Sequence, residues 1–229
     1  MKKKGNLIVG IIFLILFLAF IVAVKRFDVG VIGPAGTSVG FSHLNAKYAE
    51  LIGVNMLFYD ITNYLGYFAL SHVAVFAFVG LVQLIKRRSF AEVDRAIYAL
   101  GGLYAIDLGM YAFFEKVIIN YRPIVLPGFT LPEASFPSSH TVLTITVMAS
   151  TAIVLKRYIE NKGLRITLQT ICLIVLAVTL VGRLLCGAHW LTDIIGGILI
   201  STALLNLFVF FAGDSRGGSF ESGRYKPKH

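Results

Sequence analysis

The chain has 229 residues, of which 57% are apolar and only 14% are charged, and its mean hydropathy is +0.79. A soluble domain typically carries about a quarter charged residues, so this composition excludes a soluble globular enzyme, and the apolar content excludes disorder. The net charge of +9 does not indicate nucleic-acid binding, because the basic residues stand at the ends of apolar runs rather than among stacking aromatics.

Six apolar runs are long enough, or nearly so, to cross a lipid bilayer. A hydrocarbon layer of about 30 Å takes roughly 20 helical residues to cross. Runs with few or no charges occur, in chain order, at residues 6–24, 61–85, 96–114, 141–155, 166–182 and 194–213. Lipid offers no partner to an open strand edge, so these runs are predicted to be helices. The predicted fold class is all-α: a polytopic membrane protein with six transmembrane helices in one bundle.

The ends of these elements are less well defined. The segment 41–58 mixes apolar and polar residues and fits either an interfacial helix or an early start of the second span. The fourth run is short, so it either extends back through Pro137 to His140 or ends below full bilayer depth. The first run is longer than the apolar part of a secretory signal and is interpreted as a membrane anchor. Residues 1–213 are expected to form one membrane domain, and residues 214–229 a flexible cytoplasmic tail.

The basic residues predict the orientation of the bundle. If the connections alternate between the two membrane faces, one face carries 15 Lys and Arg residues and the other carries six. Cytoplasmic connections concentrate Lys and Arg. Both termini are therefore expected in the cytoplasm, and the first, third and fifth connections outside.

Polar residues of catalytic types collect in the third and fifth connections. The third contains Arg122 and the sequence Pro-Ser-Ser-His at 137–140, and the fifth contains Arg183, His189 and Asp193. His189 and Asp193 stand four residues apart on the expected opening turn of the sixth helix, so their side chains are predicted to share one face. The carboxylate can then accept the Nδ1 proton and leave Nε2 free as nucleophile or base. Alone, the pair also fits an ordinary helix N-terminus.

The other polar residues in these connections suit an anion. Ser138 and Ser139 stand before the fourth run, where their hydroxyls and the unpaired N–H groups of a helix start can bind phosphate. Arg122 and Arg183 each carry a guanidinium that can bind two phosphate oxygens. Each feature has a plainer alternative, a helix N-cap for Ser and headgroup contact for Arg. Together with two His and one Asp, however, they are the groups needed for phosphoryl transfer to a histidine without a metal ion.

These residues resemble the three-part signature of the membrane-bound type 2 phosphatidic acid phosphatase superfamily. Its parts are Lys, six residues and Arg-Pro; then Pro-Ser-Gly-His; then Ser-Arg, five residues, His, three residues and Asp. The corresponding positions here are Arg-Pro at 122–123, Pro-Ser-Ser-His at 137–140, Arg183, His189 and Asp193. In size and lack of additional domains the chain is similar to the bacterial phosphatidylglycerophosphate phosphatases of type B.

Three positions depart from that signature. Glu115 stands where the family has Lys, with Lys116 one residue later, and one residue turns a helical side chain by about 100°. Ser139 replaces the Gly of the second part and adds a side chain near the expected phosphate. Gly182 replaces the Ser before Arg183 and removes a hydroxyl donor. These departures concern affinity and choice of substrate, whereas both His and the Asp match the family.

The resemblance implies a role for each residue of the site. His189 is the implied nucleophile, which forms a phosphohistidine, and Asp193 orients it. His140 protonates the departing oxygen and then activates water. The implied phosphate ligands are Arg122, Arg183, Ser138, Ser139 and Lys116. No metal and no cofactor are implied.

The implied protein is a lipid phosphatase of the bacterial cell membrane, with its active site facing outward. Two substrates fit: phosphatidylglycerophosphate, in the biosynthesis of the phospholipid phosphatidylglycerol, and undecaprenyl pyrophosphate. The expected partners are this lipid phosphate and the membrane lipids, with no nucleic acid and no obligatory protein partner. Two alternatives are a small six-helix transporter, in which the intramembrane His72 and Asp107 would be informative, and a family member that binds lipid phosphate without turnover.

Overall fold

The computed structural model describes residues 2–213, within which the chain forms seven α-helices. Their bounds are α1 Lys2–Arg26, α2 Ser42–Ile52, α3 Met56–Arg87, α4 Arg95–Lys116, α5 Ser139–Tyr158, α6 Lys162–Leu185 and α7 Leu191–Ala212. All except α2 are long and apolar enough to cross a membrane. The predicted all-α fold with six transmembrane helices is confirmed, whereas the predicted tail, 214–229, lies outside the described residues.

Helices extend beyond the apolar runs that predicted them, because caps rather than hydropathy set their ends. α3 begins at Met56, where the Asn55 side chain accepts hydrogen bonds from two N–H groups of the first turn (3.1 and 3.3 Å). α5 begins at Ser139, so the short fourth run extends back to Ser139 but not to Pro137.

The first connection contains both elements that its sequence allowed, a separate short helix and an early start of the next span. Before α2, strands β1 Gly30–Val31 and β2 Ser38–Val39 form an antiparallel hairpin around the 3₁₀ turn Pro34–Gly36. Asn45 of α2 is buried and donates a hydrogen bond to Oγ1 of Thr192 in α7 (3.0 Å). This bond holds the first connection against the start of α7.

The same connection braces the turn between α6 and α7. The Tyr48 hydroxyl donates to a carbonyl oxygen in the last turn of α6, and the N–H of Asn55 donates to the carbonyl oxygen of Cys186 (3.0 Å). Gly187 has a φ of +69° and packs so closely against Gly53 that an added Cβ would lie 2.0 Å from its carbonyl oxygen. Only glycine fits position 187, both for its backbone conformation and for this close approach.

α5 and α7 are the central helices of the bundle. Half of the α5 span and 44% of the α7 span are buried inside the protein, against 11–22% of the other four spans. α7 packs against α1, α4 and α5, while α5 also packs against α3 and α6. Just before α5, the Phe136 ring stacks on Phe17 of α1 with a centroid separation of 6.0 Å. The starts of α5 and α7 are therefore carried by the most enclosed part of the fold.

Successive spans run in opposite directions, so their ends collect at two faces. At one face Arg157, near the end of α5, donates to Asp94 (3.2 Å) and to the carbonyl oxygens of Ala212 and Gly213 (2.9 Å each). At the other face the starts of α5 and α7 meet the ends of α4 and α6. Which face lies in the cytoplasm stays a prediction.

Candidate active site

A cavity of about 600 Å³ lies among α3, α4 and α5 and reaches the face where α5 and α7 start. Its lining there includes four residues that the sequence predicted to act together: His140, His189, Arg122 and Ser139. Residues of the third and fifth connections thus border one cavity.

His189 lies in the turn between α6 and α7 and is only 2% exposed. Its Nε2 atom is 3.0 Å from Nη1 of Arg122, which also donates to the carbonyl oxygen of Ala188 (3.2 Å). A guanidinium has donors only, so Nε2 must be the acceptor and the ring proton must sit on Nδ1. In this tautomer Nε2 carries a lone pair, which a nucleophile requires.

The surroundings of His189 oppose its protonation. Burial, followed by the positive charges of Arg122 and Arg183, holds the pKa of His189 well below its usual value of 6.5. The imidazole is therefore neutral at neutral pH.

Asp193 faces Nδ1 of His189, but its carboxylate is shared among several donors. Its Oδ2 is 3.6 Å from Nδ1, beyond hydrogen-bond length, and accepts from the N–H of Trp190 (2.9 Å). Its Oδ1 accepts from Nδ2 of Asn120 (3.3 Å). The sequence placed both residues on the opening turn of the helix, whereas α7 begins at Leu191 and His189 precedes it. The reason is that Asp193 caps α7 through the Trp190 N–H.

His140 lies in the first turn of α5. Gly66 of α3 leaves room for its ring, since an added Cβ would lie 2.9 Å from Cδ2 and 3.3 Å from Nε2 of His140. The Nδ1 atom of His140 is buried and has no hydrogen-bond partner within residues 2–213. The close approach of α3 therefore fixes where this imidazole borders the cavity.

The two predicted serines occupy different environments. Ser139 lines the cavity, whereas Ser138 is fully buried and is not part of the lining. The Oγ of Ser138 accepts from the Thr141 hydroxyl (3.0 Å), and its N–H donates to the carbonyl oxygen of Asp193 (3.1 Å). Ser138 thus joins the start of α5 to the start of α7.

Arg183 lies in the last turn of α6 and not in the fifth connection, where the sequence placed it. It is fully buried: its Nη2 donates to Oδ1 of Asn63 (2.6 Å), and its guanidinium carbon lies 5.0 Å from the ring centroid of Tyr59. These contacts inside the protein allow the helix to continue through a charged residue. Nε and Nη1 have no hydrogen-bond partner in the described part of the chain. Because Asn63 and Tyr59 line the cavity, Arg183 lies immediately behind its wall.

Arg122 is anchored by the third connection. Its N–H donates to the carbonyl oxygen of Glu133 (2.9 Å), and its Nε lies 3.5 Å from Oε2 of the same residue, an ion-pair contact without hydrogen-bond geometry. Glu133 and Glu115 both line the cavity. Two carboxylates therefore border the site on the side of Arg122.

Lys116, which the sequence proposed as a phosphate ligand, is not brought to the cavity. It is exposed and is not part of the lining, whereas Glu115 is. Both residues lie in the last turn of α4, where one residue turns the side chain by about 100°. The substitution at the family's Lys position therefore places a carboxylate at the cavity in place of a cation.

Four residues that shape the site were not singled out from the sequence: Asn120, Glu133, Asn63 and Tyr59. Asn120 stands two residues before Arg122, so the polar character of the third connection was an available signal. Asn63 and Tyr59 lie at the start of α3, far along the chain from Arg183. No local pattern links them, because their contact exists only in the folded bundle.

The arrangement suits phosphate chemistry. Two imidazoles and one guanidinium border the cavity, and a second guanidinium with two unpartnered nitrogens lies behind its wall. Among residues 2–213, His, Cys, Asp and Glu side chains form no group of three or more that could hold a metal ion. Cys172 and Cys186 are buried thiols and are not bridged.

A family model described as the PAP2 superfamily matches residues 70–216, which is more than half of the chain. The chain belongs to the PAP2 superfamily. The matched region contains both imidazoles, both guanidinium groups and Asp193. Membership confirms the predicted family and the predicted class of enzyme, a lipid phosphatase.

This PAP2 chain is also similar to a solved structure, the crystal structure of a transmembrane PAP2 type phosphatidylglycerolphosphate phosphatase from Bacillus subtilis. The two share 18% sequence identity with a TM-score of 0.54, over 87% of this chain and 94% of the other. This similarity supports the fold. A comparison with curated proteins gave no match.

Proposed function

We propose that this PAP2 protein is a metal-independent phosphatase that removes phosphate from a membrane lipid through a phosphohistidine on His189. The observation that supports it best is the unprotonated Nε2 of His189 at a cavity shared with His140 and Arg122. A neutral imidazole can attack phosphorus, and neighbouring cations can stabilise the charge that a metal ion would otherwise stabilise.

The proposed reaction has two steps. First, Nε2 of His189 bonds to phosphorus while the bond from phosphorus to the lipid oxygen breaks, and His140, protonated beside the bound phosphate, gives its proton to that oxygen. Second, His140 takes a proton from water, the water oxygen bonds to phosphorus, and the phosphorus–nitrogen bond breaks to release inorganic phosphate. Asp193 stabilises the charge that develops on His189. General acid help contributes roughly 10²–10⁴ in rate.

The phosphate oxygens are proposed to contact Arg122, Arg183, Ser139 and the N–H groups at the start of α5. Arg122 borders the cavity directly, and Arg183 has two nitrogens free of hydrogen-bond partners in the described residues. Ser138 is assigned a positioning role, because its bonds run to α5 and α7. Lys116 has no part in this binding.

The proposed substrate is phosphatidylglycerophosphate in preference to undecaprenyl pyrophosphate. Glu115 and Glu133 border the cavity and oppose the additional negative charge of a diphosphate. The similar Bacillus subtilis protein is described as a phosphatidylglycerolphosphate phosphatase. Glu115→Lys should raise turnover of the diphosphate relative to the monophosphate. An unchanged ratio would remove the electrostatic reason for this preference.

The proposed location is the bacterial cell membrane, with the site outside and both termini in the cytoplasm. The support is the uneven distribution of Lys and Arg, since the face of the site carries six of the 21. The transporter alternative receives less support, because only Asp107 of its two informative residues lines the cavity. His72 does not line it, and its Nδ1 lies 3.0 Å from the carbonyl oxygen of Phe68.

The decisive experiment is phosphate release by the purified protein in detergent, from a panel of lipid phosphates. His189→Ala should abolish release, and release that survives this change would overturn the proposal. Brief incubation with ³²P-labelled substrate, quenched in base, should trap labelled protein in the wild type and none in His189→Ala.

Inhibitors test the absence of a metal from the reaction. Vanadate, which mimics five-coordinate phosphorus, should inhibit the enzyme, because the site is built to bind that geometry. Chelators should leave turnover unchanged. Turnover that chelators abolish and a divalent cation restores would contradict the metal-independent scheme.

A further inference from the structure

The cavity continues from the phosphate site into the membrane-spanning part of the bundle. The residues that line this deeper part lie at several positions between Gly66 and Val73 on α3 and between Tyr104 and Glu115 on α4. Most of these deeper residues are apolar, as a passage for lipid tails requires. Three polar side chains in this lining, Tyr67, Tyr111 and Glu115, are exposed, whereas two are enclosed, Tyr104 and Asp107.

The two enclosed polar side chains differ in how their hydrogen bonds are satisfied. The Tyr104 hydroxyl pairs with Oγ of Ser150 (3.1 Å). Asp107 accepts the Thr146 hydroxyl at Oδ2 (2.6 Å), but its Oδ1 is buried and has no hydrogen-bond partner within the described residues. Asp107 is 8% exposed, and none of the ion pairs in the described part of the chain includes it. A buried polar atom without a partner is costly, so it marks a place for a ligand atom.

The depth of Asp107 indicates which part of a lipid would meet it. Its partner Thr146 follows His140 by six residues on α5, which is about 9 Å along the helix axis. When the phosphate lies beside His140, the part of the lipid a few bonds from phosphorus lies at the depth of Asp107. In phosphatidic acid, whose phosphate is bonded directly to the diacylglycerol, that part contains the ester groups. In phosphatidylglycerophosphate it contains the headgroup glycerol and the second phosphate, and in a polyprenyl phosphate it is hydrocarbon only.

We propose that Asp107 is a specificity-determining residue that hydrogen-bonds an ester carbonyl oxygen of a lipid whose phosphate is bonded directly to the diacylglycerol, as in phosphatidic acid. The inference rests on the proposed function, because the phosphate site sets the depth of the lipid. A carboxyl group without a cationic partner costs least in hydrocarbon as the neutral acid. Oδ2 then accepts from Thr146, and the proton is carried by Oδ1, which has no partner among the described residues; Asp107 itself is part of the cavity lining. A carbonyl oxygen can only accept, so it complements this donor.

The test compares two substrates that differ only in these carbonyl groups. Phosphatidic acids with two ester-linked chains and with two ether-linked chains of equal length are given to the wild type, Asp107→Asn and Asp107→Leu. The wild type should favour the diester in kcat/KM by roughly three- to tenfold, the effect of one hydrogen bond, mainly through KM. Asp107→Asn keeps one donor and one acceptor and should keep most of this preference, whereas in Asp107→Leu the ratio should fall to about one.

Two results would overturn the inference: equal kcat/KM of the wild type for both lipids, or a diester preference that persists in Asp107→Leu. The wild-type comparison holds even if the leucine variant fails to fold. Binding of the two lipids to His189→Ala makes the same comparison without turnover, because the ratio of the two dissociation constants measures the preference for the diester. A diester preference in binding that depends on Asp107, with no turnover by the wild type, would support this inference while overturning the proposed function.

Discussion

Arg122 has two roles in the proposed mechanism, and both depend on the 3.0 Å contact between its Nη1 and Nε2 of His189. In the resting enzyme the guanidinium fixes the tautomer of the nucleophile. A bound phosphate offers the same guanidinium anionic oxygens, which are stronger acceptors than an imidazole nitrogen. Phosphate binding would thus release the Nε2 lone pair for attack.

Replacing Arg122 tests this dual role. Arg122→Lys keeps the charge but loses the planar fork, so we expect kcat/KM to fall by roughly 10²–10³, as for other lost donors to transition-state charge. Lys116→Ala is the matched control, because Lys116 is exposed and does not line the cavity. Steady-state kinetics on a lipid monophosphate measure both. Equal losses in the two variants would contradict the assigned positions.

The position of His140 depends on the absence of a side chain at Gly66. Gly66→Ala would place a Cβ 2.9 Å from Cδ2 of His140 and displace the ring. Since misplacing a catalytic group by about 1 Å can cost 10²-fold, we expect kcat to fall at least tenfold. Gly101→Ala is the control, because nothing lies within 4 Å of the added Cβ on α4. Full activity of Gly66→Ala would show that the ring can shift without loss.

Protonation of His189 links stability to pH. Because burial and Arg122 lower its folded-state pKa below the usual 6.5, the unfolded chain binds more protons as pH falls below about 6.5. Protonation of His189 should therefore lower the free energy of unfolding by up to about 1.4 kcal/mol for each unit that the pH falls below 6.5. Above that pH it should have no effect. Denaturation in detergent between pH 5 and 8 measures this contribution. His189→Asn should flatten the profile below pH 6.5, and an identical profile would contradict it.

At the level of elements, the spans could be predicted from the sequence and the site contacts could not. Hydrocarbon requires long apolar helices, so the run at 61–85 was sufficient to predict α3. The predicted end of α6 was too early, because a charged residue such as Arg183 usually marks the end of a span. In the folded protein Arg183 lies inside the bundle, where it contacts Asn63 and Tyr59. The signature predicted which imidazoles matter, but the 3.6 Å separation of Asp193 from His189 depends on a cap that spacing does not reveal.

The packing of α3 against α6 explains one departure from the family signature. An added Cβ at Gly182 would lie 2.5 Å from Cγ2 of Thr62, so the serine found in the family cannot fit beside this threonine. We expect Gly182→Ser to lower the free energy of unfolding by about 1–3 kcal/mol, as overpacking does.

The steric origin of that loss can be separated from the chemistry of serine. Thr62→Ser removes Cγ2 and should restore most of the stability of Gly182→Ser in the double variant. Gly109→Ser, where nothing lies within 4 Å of the added Cβ, is the control. Chemical denaturation in detergent measures the wild type, Thr62→Ser, Gly182→Ser, the double variant and Gly109→Ser. A double variant no more stable than Gly182→Ser would rule out the clash with Thr62.

At the scale of the whole molecule, the charge difference between the two faces predicts which one meets the outside. Ser38 in the hairpin and Ala91 between α3 and α4 are both exposed and lie at opposite ends of the bundle. In intact bacterial cells a membrane-impermeant maleimide should label Ser38→Cys, and it should label Ala91→Cys only after permeabilisation. The wild type, whose Cys172 and Cys186 are buried, supplies the background. The reverse pattern would invert the proposed orientation.

The bracing of the His189 turn by the first connection has a practical consequence for anyone who tags or reengineers this protein. A long segment between two spans is usually the first choice for an inserted epitope or fluorescent reporter. Here residues 42–55 contact the turn that carries His189, through Tyr48, Asn55 and the close approach of Gly187. An insertion among them would therefore displace His189. The hairpin tip at 34–36 carries none of these ties and is the safer site for such a graft.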